Sequence, residues 1–265
     1  MLLCNKINLQ VQNTMLSKNK IKLITSLARK KYRDEYSLFV AEGSKLVTDL
    51  SVAFRCRSLF ATKEWLSLYP NLIADEIIEV SEAELTKVSA QKTPQGVIAL
   101  FEKTDYSFQT SDVTEALTLA LDDVQDPGNL GTILRVADWF GIRDVFCSEH
   151  CADAFNPKTV QATMGALARV KVHKVNLTDF LKDYASKTSI YGTLMDGNDI
   201  YHSELQPTGI VVMGNEGQGI SPEVQQLITH RLLIPSYPQG TPTSESLNVS
   251  VATALVCAEF RRRLR

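Results

Sequence analysis

Three stretches in the C-terminal half combine glycine with amide, carboxylate or guanidinium side chains directly after apolar runs. The first, 121–131, has the sequence LDDVQDPGNLG and leads into a segment that carries Arg135. The second, 211–219, has the sequence VVMGNEGQG, and the third, 232–246, has the sequence LLIPSYPQGTPTSES and precedes Asn248. Glycine permits tight turns and close approach of a ligand to the backbone, while amide and guanidinium groups bind hydroxyls and anions. These stretches are therefore the candidates for chemistry.

The first stretch predicts an anion site at the start of a helix over 130–140. Free backbone N–H groups at a helix N-terminus favour an anion, and Asn129 and Gly131 permit the tight turn that leads into it. Arg135 lies about one and a half turns further along, so we expect its guanidinium and the Asn129 amide to converge. The alternative is an ordinary turn followed by a surface arginine in a salt bridge.

The second stretch places Glu216 among three glycines after an apolar strand. Its spacing differs from the glycine pattern of dinucleotide sites, and it lacks the Lys-Ser/Thr of a phosphate-binding loop. A carboxylate would also repel a pyrophosphate, so this loop suits hydroxyl groups or a cationic ligand. In the third stretch, Ser246 is predicted to cap a helix over 247–263, which leaves the amide of Asn248 free for a ligand.

Neighbouring parallel strands would bring these stretches together. Strands are predicted at 117–121, 144–147, 170–175, 190–193, 210–213 and 232–234, and helices at 130–140, 159–166, 177–184, 222–228 and 247–263. Continuous apolar runs such as 210–213 indicate strands buried on both faces, which is typical of a mostly parallel sheet between helices. Sites in such sheets lie outside the carboxyl ends of the strands, where the three stretches fall. We therefore expect an α/β fold.

The first hundred residues predict a smaller α/β domain with a basic end. Its predicted elements are a basic amphipathic helix at 18–33, strands at 37–41, 58–61, 77–80 and 96–101, and helices at 44–50, 63–68 and 81–88. Residues 1–63 hold 12 Lys/Arg and 4 Asp/Glu, against 16 and 26 in the remainder, although the net charge is −2. A basic face suits a polyanion such as RNA, and the alternative is a solvated helix face.

The domain boundaries follow from these patterns. We expect residues 1–17 to form a flexible extension and 18–102 to form the smaller domain. Residues 103–115, which are polar with little periodicity, are the predicted linker to a larger domain over 116–265.

Composition and cysteine content exclude several classes of protein. No apolar run of the 265-residue chain approaches the roughly 20 residues that a membrane-spanning helix needs. The five cysteines show no paired spacing, which favours a reducing compartment over a disulfide framework. Cys147, His150 and Cys151 stand close together, but a structural zinc site needs four ligands, so we expect no metal. The predicted protein is soluble and cytoplasmic.

Taken together, three motifs resemble those of the SpoU (TrmH-like) branch of the SPOUT RNA methyltransferases. They are D-x-x-x-D-P-G-N-L-G-x-x-x-R at 122–135, V-M-G-N-E-G-x-G at 212–219, and I-P with S-L-N-V-S-V-A at 234–252. The segment 30–43 is similar to the start of the ribosomal-protein-L30e-like substrate domain that many members carry. The resemblance, which covers about 116–265, implies a C-terminal deep trefoil knot, an obligate homodimer and an active site at the subunit interface.

The resemblance also implies roles for single residues. The implied cofactor is S-adenosylmethionine (AdoMet), held by Thr193, Leu194, Met213, Gly214, Ile234, Ser246 and Leu247. The implied catalytic residues are Asn129, Arg135, Glu216, Ser246 and Asn248. A guanidinium stays protonated near neutral pH, so Arg135 is expected to bind the target phosphate and stabilise the developing alkoxide, not to act as the base. Asn129 and Glu216 would then orient the ribose. The expected RNA-binding residues are Lys30, Lys31, Arg33 and Arg135.

The expected function is therefore AdoMet-dependent methylation of an RNA ribose 2′-hydroxyl. The L30e-like domain favours ribosomal RNA, and transfer RNA is the first alternative substrate. A non-catalytic RNA-binding protein on the same scaffold would be expected to lack Arg135 or Asn129, and both are present. A small-molecule enzyme that uses a nucleotide would need a phosphate-binding glycine loop, which the sequence lacks.

Overall fold

The computed structural model describes residues 16–238, 241, 244 and 246–263, which form two compact units. Unit 1 contains the described residues up to Thr104 together with Phe155–Ala168, and unit 2 contains Asp105–Ala154 and the described residues from Arg169 onwards. The segment Phe155–Ala168 packs in unit 1, although its sequence position suggested the C-terminal domain. The ring of Phe155 lies 4.9 Å from that of Phe39, so an aromatic contact holds this segment in unit 1.

The described residues form ten strands and eleven α-helices. The strands are β1 (Leu38–Glu42), β2 (Cys56–Ala61), β3 (Ile77–Glu79), β4 (Val97–Glu102), β5 (Leu117–Leu121), β6 (Asp144–Cys147), β7 (Lys171–Lys174), β8 (Ile190–Asp199), β9 (Gly209–Met213) and β10 (His230–Leu233). The helices are α1 (Lys18–Ser26), α2 (Lys30–Tyr36), α3 (Ser44–Leu50), α4 (Lys63–Leu68), α5 (Glu82–Val88), α6 (Thr110–Thr114), α7 (Pro127–Trp139), α8 (Pro157–Thr163), α9 (Leu177–Tyr184), α10 (Pro222–Gln225) and α11 (Val249–Arg262). None of these helices combines the length and the apolar character needed to cross a bilayer.

Unit 1 is built on a four-stranded sheet in the order β1-β4-β2-β3. The strand β4 is antiparallel to both β1 and β2, and β2 is parallel to β3. One apolar cluster contains Phe60 and Leu100 from the sheet together with Leu27 from the end of α1. Burial of these side chains accounts for the apolar runs that predicted the strands.

The chain bends between α1 and α2, so the prediction of one helix over 18–33 is wrong. Leu27 ends α1 and is fully buried, and Arg29 is extended before α2 begins. Arg33 is 1% exposed, and its guanidinium donates hydrogen bonds to the carbonyl oxygens of Leu27 (2.8 Å) and Ala28 (2.9 Å). Buried carbonyl groups at a helix end need donors, and Arg33 supplies them.

Two residues of the predicted flexible extension are part of unit 1. Leu16 is buried and its N–H donates to the carboxylate of Glu84 at 2.8 Å, and the Ser17 side chain caps α1. The prediction of flexibility is therefore wrong for Leu16 and Ser17, and the rest of it, 1–15, lies outside the described residues.

Unit 2 contains a six-stranded sheet in the order β10-β8-β9-β5-β6-β7, and every neighbouring pair is parallel. The central strands β5 and β9 are buried at every residue, which confirms the prediction of a mostly parallel sheet covered on both faces. One apolar cluster joins Ile210 and Val212 of β9 to Phe180 and Leu181 of α9. The helix α11 packs against α7.

The strand β8 contains a large bulge that the sequence did not predict. Gly192 pairs with Arg231 of β10, and the next pair joins Asn198 to Leu232, so 193–197 oppose no residue of β10. A Cβ atom on Gly197 would lie 2.5 Å from the carbonyl carbon of Leu232, so the backbones approach closely where pairing resumes. The bulge extends the strand from the predicted 190–193 to Ile190–Asp199 and lifts 193–197 out of the pairing.

Candidate active site

A cavity of about 350 Å³ lies at the carboxyl edge of the unit 2 sheet. Its walls come from the bulge of β8, the glycine-rich loop after β9, the end of β10 and the chain that enters α11. All seven residues expected to hold a cofactor line it, namely Thr193, Leu194, Met213, Gly214, Ile234, Ser246 and Leu247. The parallel sheet thus brings distant segments of the sequence to one place.

The lining of the cavity combines apolar side chains with backbone groups. Met213 and Thr193 meet across it, with the hydroxyl oxygen 3.8 Å from the thioether sulfur. Among the described lining residues, Glu216 carries the one carboxylate, and no basic side chain lines the cavity. Such a cavity suits a ligand with an apolar body, polar edges and a positive charge.

The glycine-rich loop folds back tightly over the end of β9. A Cβ atom on Gly214 would lie 2.3 Å from the backbone nitrogen of Ile220, so a larger residue cannot occupy this position without moving the loop. Gly219 adopts φ +72°, a left-handed conformation that glycine reaches without strain. Asn215 and Gly219 exchange two backbone hydrogen bonds of 2.9 Å, which close the loop.

A chain of side-chain hydrogen bonds connects all three motifs beside this cavity. The amide nitrogen of Asn248 donates to the amide oxygen of Asn129 at 3.0 Å. The amide nitrogen of Asn129 donates in turn to the Glu216 carboxylate at 2.9 Å. Three of the five expected catalytic residues, separated by up to 119 positions, therefore touch one another. The chain presents a carboxylate and amide groups, which can bind and orient hydroxyl groups.

Asn129 owes its position to the start of α7. The helix begins at Pro127, earlier than the predicted 130, and the Asp126 carboxylate caps it by accepting from the N–H of Asn129 at 2.9 Å. Proline suits the first helical position because it has no N–H to satisfy. Asn129 thus lies in the first turn of α7 and faces the glycine-rich loop.

Asn248, not Ser246, caps α11, so the predicted cap is wrong. The Asn248 side-chain oxygen accepts from the N–H groups of Ser250 (3.0 Å) and Val251 (3.4 Å), and α11 begins at Val249. Asn248 therefore uses its oxygen for the helix and its amide nitrogen for Asn129. Ser246 is exposed and lines the cavity without capping the helix.

Arg135 lies apart from this hydrogen-bonded chain, contrary to the expectation that it converges with Asn129. It is six residues beyond Asn129, which places it about 9 Å further along α7 and roughly a third of a turn around the axis. Its side chain is exposed, does not line the cavity and forms no hydrogen bond or ion pair with the described residues. Within one chain, the guanidinium is therefore outside the chain of hydrogen bonds that contains Asn129.

Two residues that the sequence did not single out anchor the glycine-rich loop. The Asp122 carboxylate, which is buried, accepts from the N–H of Ser221 at 2.7 Å at one end of the loop. The Asn215 amide nitrogen donates to the Asp123 carbonyl oxygen at 2.8 Å at the other end. The sequence could have predicted these two anchors. Aspartates directly after a buried strand favour bonds from the side chain to the backbone, and so does an asparagine inside a glycine-rich loop.

The basic residues expected to bind RNA in unit 1 differ in accessibility. Lys30 and Lys31 are exposed, and Lys30 forms an ion pair with Asp34. Lys103 and Lys30 hydrogen-bond the Asp34 carboxylate and hold its pKa below the usual range. Arg33 is buried and bonded to backbone carbonyls, so its expected role in RNA binding is wrong. The described residues contain no group of three or more potential metal ligands.

Comparisons with known proteins cover both units. The SpoU rRNA Methylase family matches residues 116–258, and the MRM3-like substrate binding domain matches residues 18–99. The chain is 30% identical to the 23S rRNA (guanosine(2553)-2'-O)-methyltransferase RlmP of Bacillus subtilis, over 91% of this chain and 96% of that protein.

Solved structures extend this similarity to the fold. A putative RNA methyltransferase of the TrmH family from Porphyromonas gingivalis is 44% identical, with a TM-score of 0.85 over 94% of this chain and 100% of that chain. An AdoMet-bound rRNA methyltransferase from Sinorhizobium meliloti is 29% identical, with a TM-score of 0.83 over 97% of this chain and 99% of that chain. Since the family match spans more than half of the sequence and contains all three strand-end motifs, the chain belongs to the SpoU rRNA methylase family.

Proposed function

We propose that this protein transfers a methyl group from AdoMet to a ribose 2′-hydroxyl of RNA, with ribosomal RNA as the substrate class. The observation that carries the proposal is the hydrogen-bonded chain of Asn248, Asn129 and Glu216 beside a cavity lined by all seven expected cofactor residues. The relative from Bacillus subtilis, named as a 23S rRNA 2′-O-methyltransferase, supports the choice of ribosomal RNA.

The cavity fits AdoMet in its chemistry. Met213, Leu194 and Leu247 offer apolar surface, and the glycines of the lining leave the backbone uncovered by side chains, so that a purine edge can approach it. The Glu216 carboxylate balances a positive charge nearby. When bound, AdoMet supplies an electrophilic methyl group on a cationic sulfur.

The residues of the chain then orient the hydroxyl that receives this group. Asn129 and Glu216 bind the ribose in this proposal, and Asn248 keeps the Asn129 amide turned so that its nitrogen faces Glu216. Fixing the acceptor oxygen in line with the reacting carbon lowers the entropic part of the barrier. As the O–C bond forms, the S–C bond would break and leave S-adenosylhomocysteine, and the hydroxyl proton would pass to water. Arg135, which stays protonated, binds a substrate phosphate and stabilises the negative charge that develops on the hydroxyl oxygen.

A homodimer is part of the proposal because it would bring Arg135 of one subunit to the active site of its partner. Trp139 is 84% exposed and lies one turn beyond Arg135 on the same face of α7. On α11, which packs against α7, Val251 and Leu255 are 49% and 38% exposed. Apolar side chains exposed together on neighbouring helices mark an interaction surface, and a second copy that covers Trp139 also meets Arg135.

The dimer can be tested separately from activity. We expect Leu255→Glu to convert a dimer to monomers, because a carboxylate would be buried without a partner at the interface. Leu68→Glu is the matched control, since Leu68 is 74% exposed in unit 1. Sedimentation equilibrium distinguishes the two states, and a wild-type protein that sediments as a monomer at micromolar concentration would contradict the dimer.

We also propose a trefoil knot in unit 2. The chain passes from β9 through α10 to β10, which pairs with β8 at the edge of the sheet, and then enters α11, which packs on α7. Near the end of α11, Arg263 donates to the carbonyl oxygens of Ile200 and Tyr201, both at 2.9 Å, beyond the end of β8. These contacts support a C-terminal segment that is tied into the loop after β8.

The proposed location is the cytoplasm. The described cysteines, Cys56, Cys147, Cys151 and Cys257, are free and buried. Free thiols are typical of a reducing compartment. In this setting, unit 1 would bind RNA through the exposed Lys30 and Lys31, in line with its match to a substrate binding domain.

The deciding experiment maps ribose methylation. The purified protein is incubated with AdoMet carrying a tritiated methyl group and with ribosomal RNA or transfer RNA from cells that lack the gene. We expect label in ribosomal RNA at one 2′-hydroxyl that is unmethylated in those cells. Label in transfer RNA alone would make transfer RNA the substrate class in place of ribosomal RNA. No label, together with no AdoMet binding by calorimetry, would refute the proposal that the protein is a methyltransferase.

A further inference from the structure

The side chain of Asn215 organises the turn that carries Glu216. Its amide oxygen accepts from the N–H groups of Gly217 at 2.9 Å and Gln218 at 3.0 Å. Its amide nitrogen donates to the Asp123 carbonyl oxygen at 2.8 Å. One side chain therefore shapes the turn from within and ties it to the loop after β5.

The acceptor of the second bond is itself held in place. Asp123 has φ +57°, a left-handed conformation that aspartate tolerates better than most residues. Its N–H donates to the Ser148 hydroxyl oxygen at 2.9 Å, and that hydroxyl donates to the Asp123 carboxylate at 2.5 Å. Ser148 follows β6 directly, so the anchor of Asn215 is fixed to the sheet.

Among the described residues, the tip of the turn at 216–218 is held by these bonds of Asn215, by the bond of Glu216 to Asn129 and by the two backbone bonds between Asn215 and Gly219. Gly214, Gly217 and Gly219 surround Glu216, and glycine loses more conformational freedom on ordering than any other residue. Gly217 and Gln218 are exposed, so apolar packing does not hold this part of the turn. Without the bonds of Asn215, the Glu216 carboxylate would sample positions away from Asn129.

We propose that Asn215 is a positioning residue that keeps the Glu216 carboxylate within hydrogen-bonding distance of Asn129. This inference rests on the proposed methyl transfer and adds a residue that acts through Glu216 without contacting the reacting atoms. Its two halves have separate tasks, because the amide oxygen forms the turn and the amide nitrogen anchors the turn to Asp123.

The test combines kinetics with a measurement of loop order. In Asn215→Ala, kcat per AdoMet-binding site is expected to fall roughly ten- to a hundredfold, while KM for RNA changes less than about threefold. Hydrogen–deuterium exchange of the peptide spanning 214–221 is expected to become faster. The matched control is Asn176→Ala, which removes an asparagine cap of α9 outside the site and should change neither quantity.

Asn215→Asp separates the two halves of the side chain. It keeps oxygens for the N–H groups of Gly217 and Gln218 but loses the donor to Asp123, so we expect smaller increases in exchange than in Asn215→Ala. Asn215→Asp also tests the positioning role if Asn215→Ala does not fold. Unchanged exchange of 214–221, or faster exchange with kcat within about twofold of wild type, would overturn the inference. If the wild-type protein methylates no RNA, the proposed function fails, whereas the exchange result still decides whether Asn215 orders the turn.

Discussion

Polar side chains at the carboxyl edge of the unit 2 sheet bond to one another, whereas Lys30 and Arg33 of α2 in unit 1 bond to residues close to them in the sequence. Asn248, Asn129 and Glu216 form a continuous chain between segments far apart in sequence. In unit 1, Lys30 pairs with Asp34 four residues away, and Arg33 satisfies carbonyl groups at the end of α1.

The two arrangements are expected to respond differently when a single side chain is removed. Each member of the unit 2 chain orients its neighbour, so loss of one amide disturbs the whole chain and its effect is not additive. In the proposed complex with RNA, exposed lysines would act as separate charges that salt screens, so each is expected to contribute little and nearly independently. Arg33 belongs to neither group, because its role is to satisfy buried backbone groups.

Removal of the central amide is expected to have the largest effect on activity. Asn129→Ala deletes both hydrogen bonds of the chain, and we expect kcat to fall about a hundred- to a thousandfold, as for the loss of one preorganised donor elsewhere. Thr132→Ala is the control on the same helix, since the Thr132 hydroxyl bonds only to the Gly128 carbonyl oxygen among the described residues. Near-normal turnover in Asn129→Ala would contradict the proposed role of the chain.

Loss of Arg33 is expected to reduce stability instead of RNA recognition. Arg33→Met leaves the Leu27 and Ala28 carbonyl groups without its guanidinium, at a cost of about 3 kcal/mol in the free energy of unfolding. Urea denaturation measures this cost, and Lys30→Met on the exposed face should leave the midpoint unchanged. An Arg33 variant with normal stability and weakened RNA binding would return this residue to the RNA-binding surface.

The two tasks of Asn248 can be separated by substitution. Asn248→Ala removes both the cap and the bond to Asn129, so stability should fall by about 1 kcal/mol along with kcat. Asn248→Ser keeps an oxygen for the cap, so stability should be retained while kcat still falls. Ser246→Ala should leave the unfolding free energy unchanged, and a loss like that of Asn248→Ala would restore Ser246 as the cap.

Single lysine substitutions in unit 1 are expected to have the smallest effects. Lys30→Ala and Lys31→Ala should each weaken RNA binding only a few-fold and reduce the slope of log affinity against log salt by about one. Lys187→Ala in unit 2, where the ammonium lies 5.0 Å from the Tyr184 ring, is the control. Filter binding at several salt concentrations measures both quantities, and an unchanged slope would remove these lysines from the interface.

Local sequence patterns were sufficient for most elements. The predicted bounds of α3, α4, β5, β6 and α9 agree with the structure. Apolar runs and helical periodicity identify such elements because burial acts on each segment. The same patterns located three strand ends rich in glycine and amides, and parallel pairing is enough to bring such ends together.

The sequence by itself determined the fold class and, through its resemblance to a known family, seven of the residues that line the cavity and the members of the Asn248, Asn129 and Glu216 chain. Tertiary structure alone decided that Arg33 is buried, that residues 193–197 bulge from β8 and that Asn248 caps α11 while it holds Asn129. The physical reason is that the residue type determines which hydrogen bonds and ion pairs a side chain can form. The packing of distant segments decides which partner is within reach, and so assigns an arginine to a carbonyl group or to solvent.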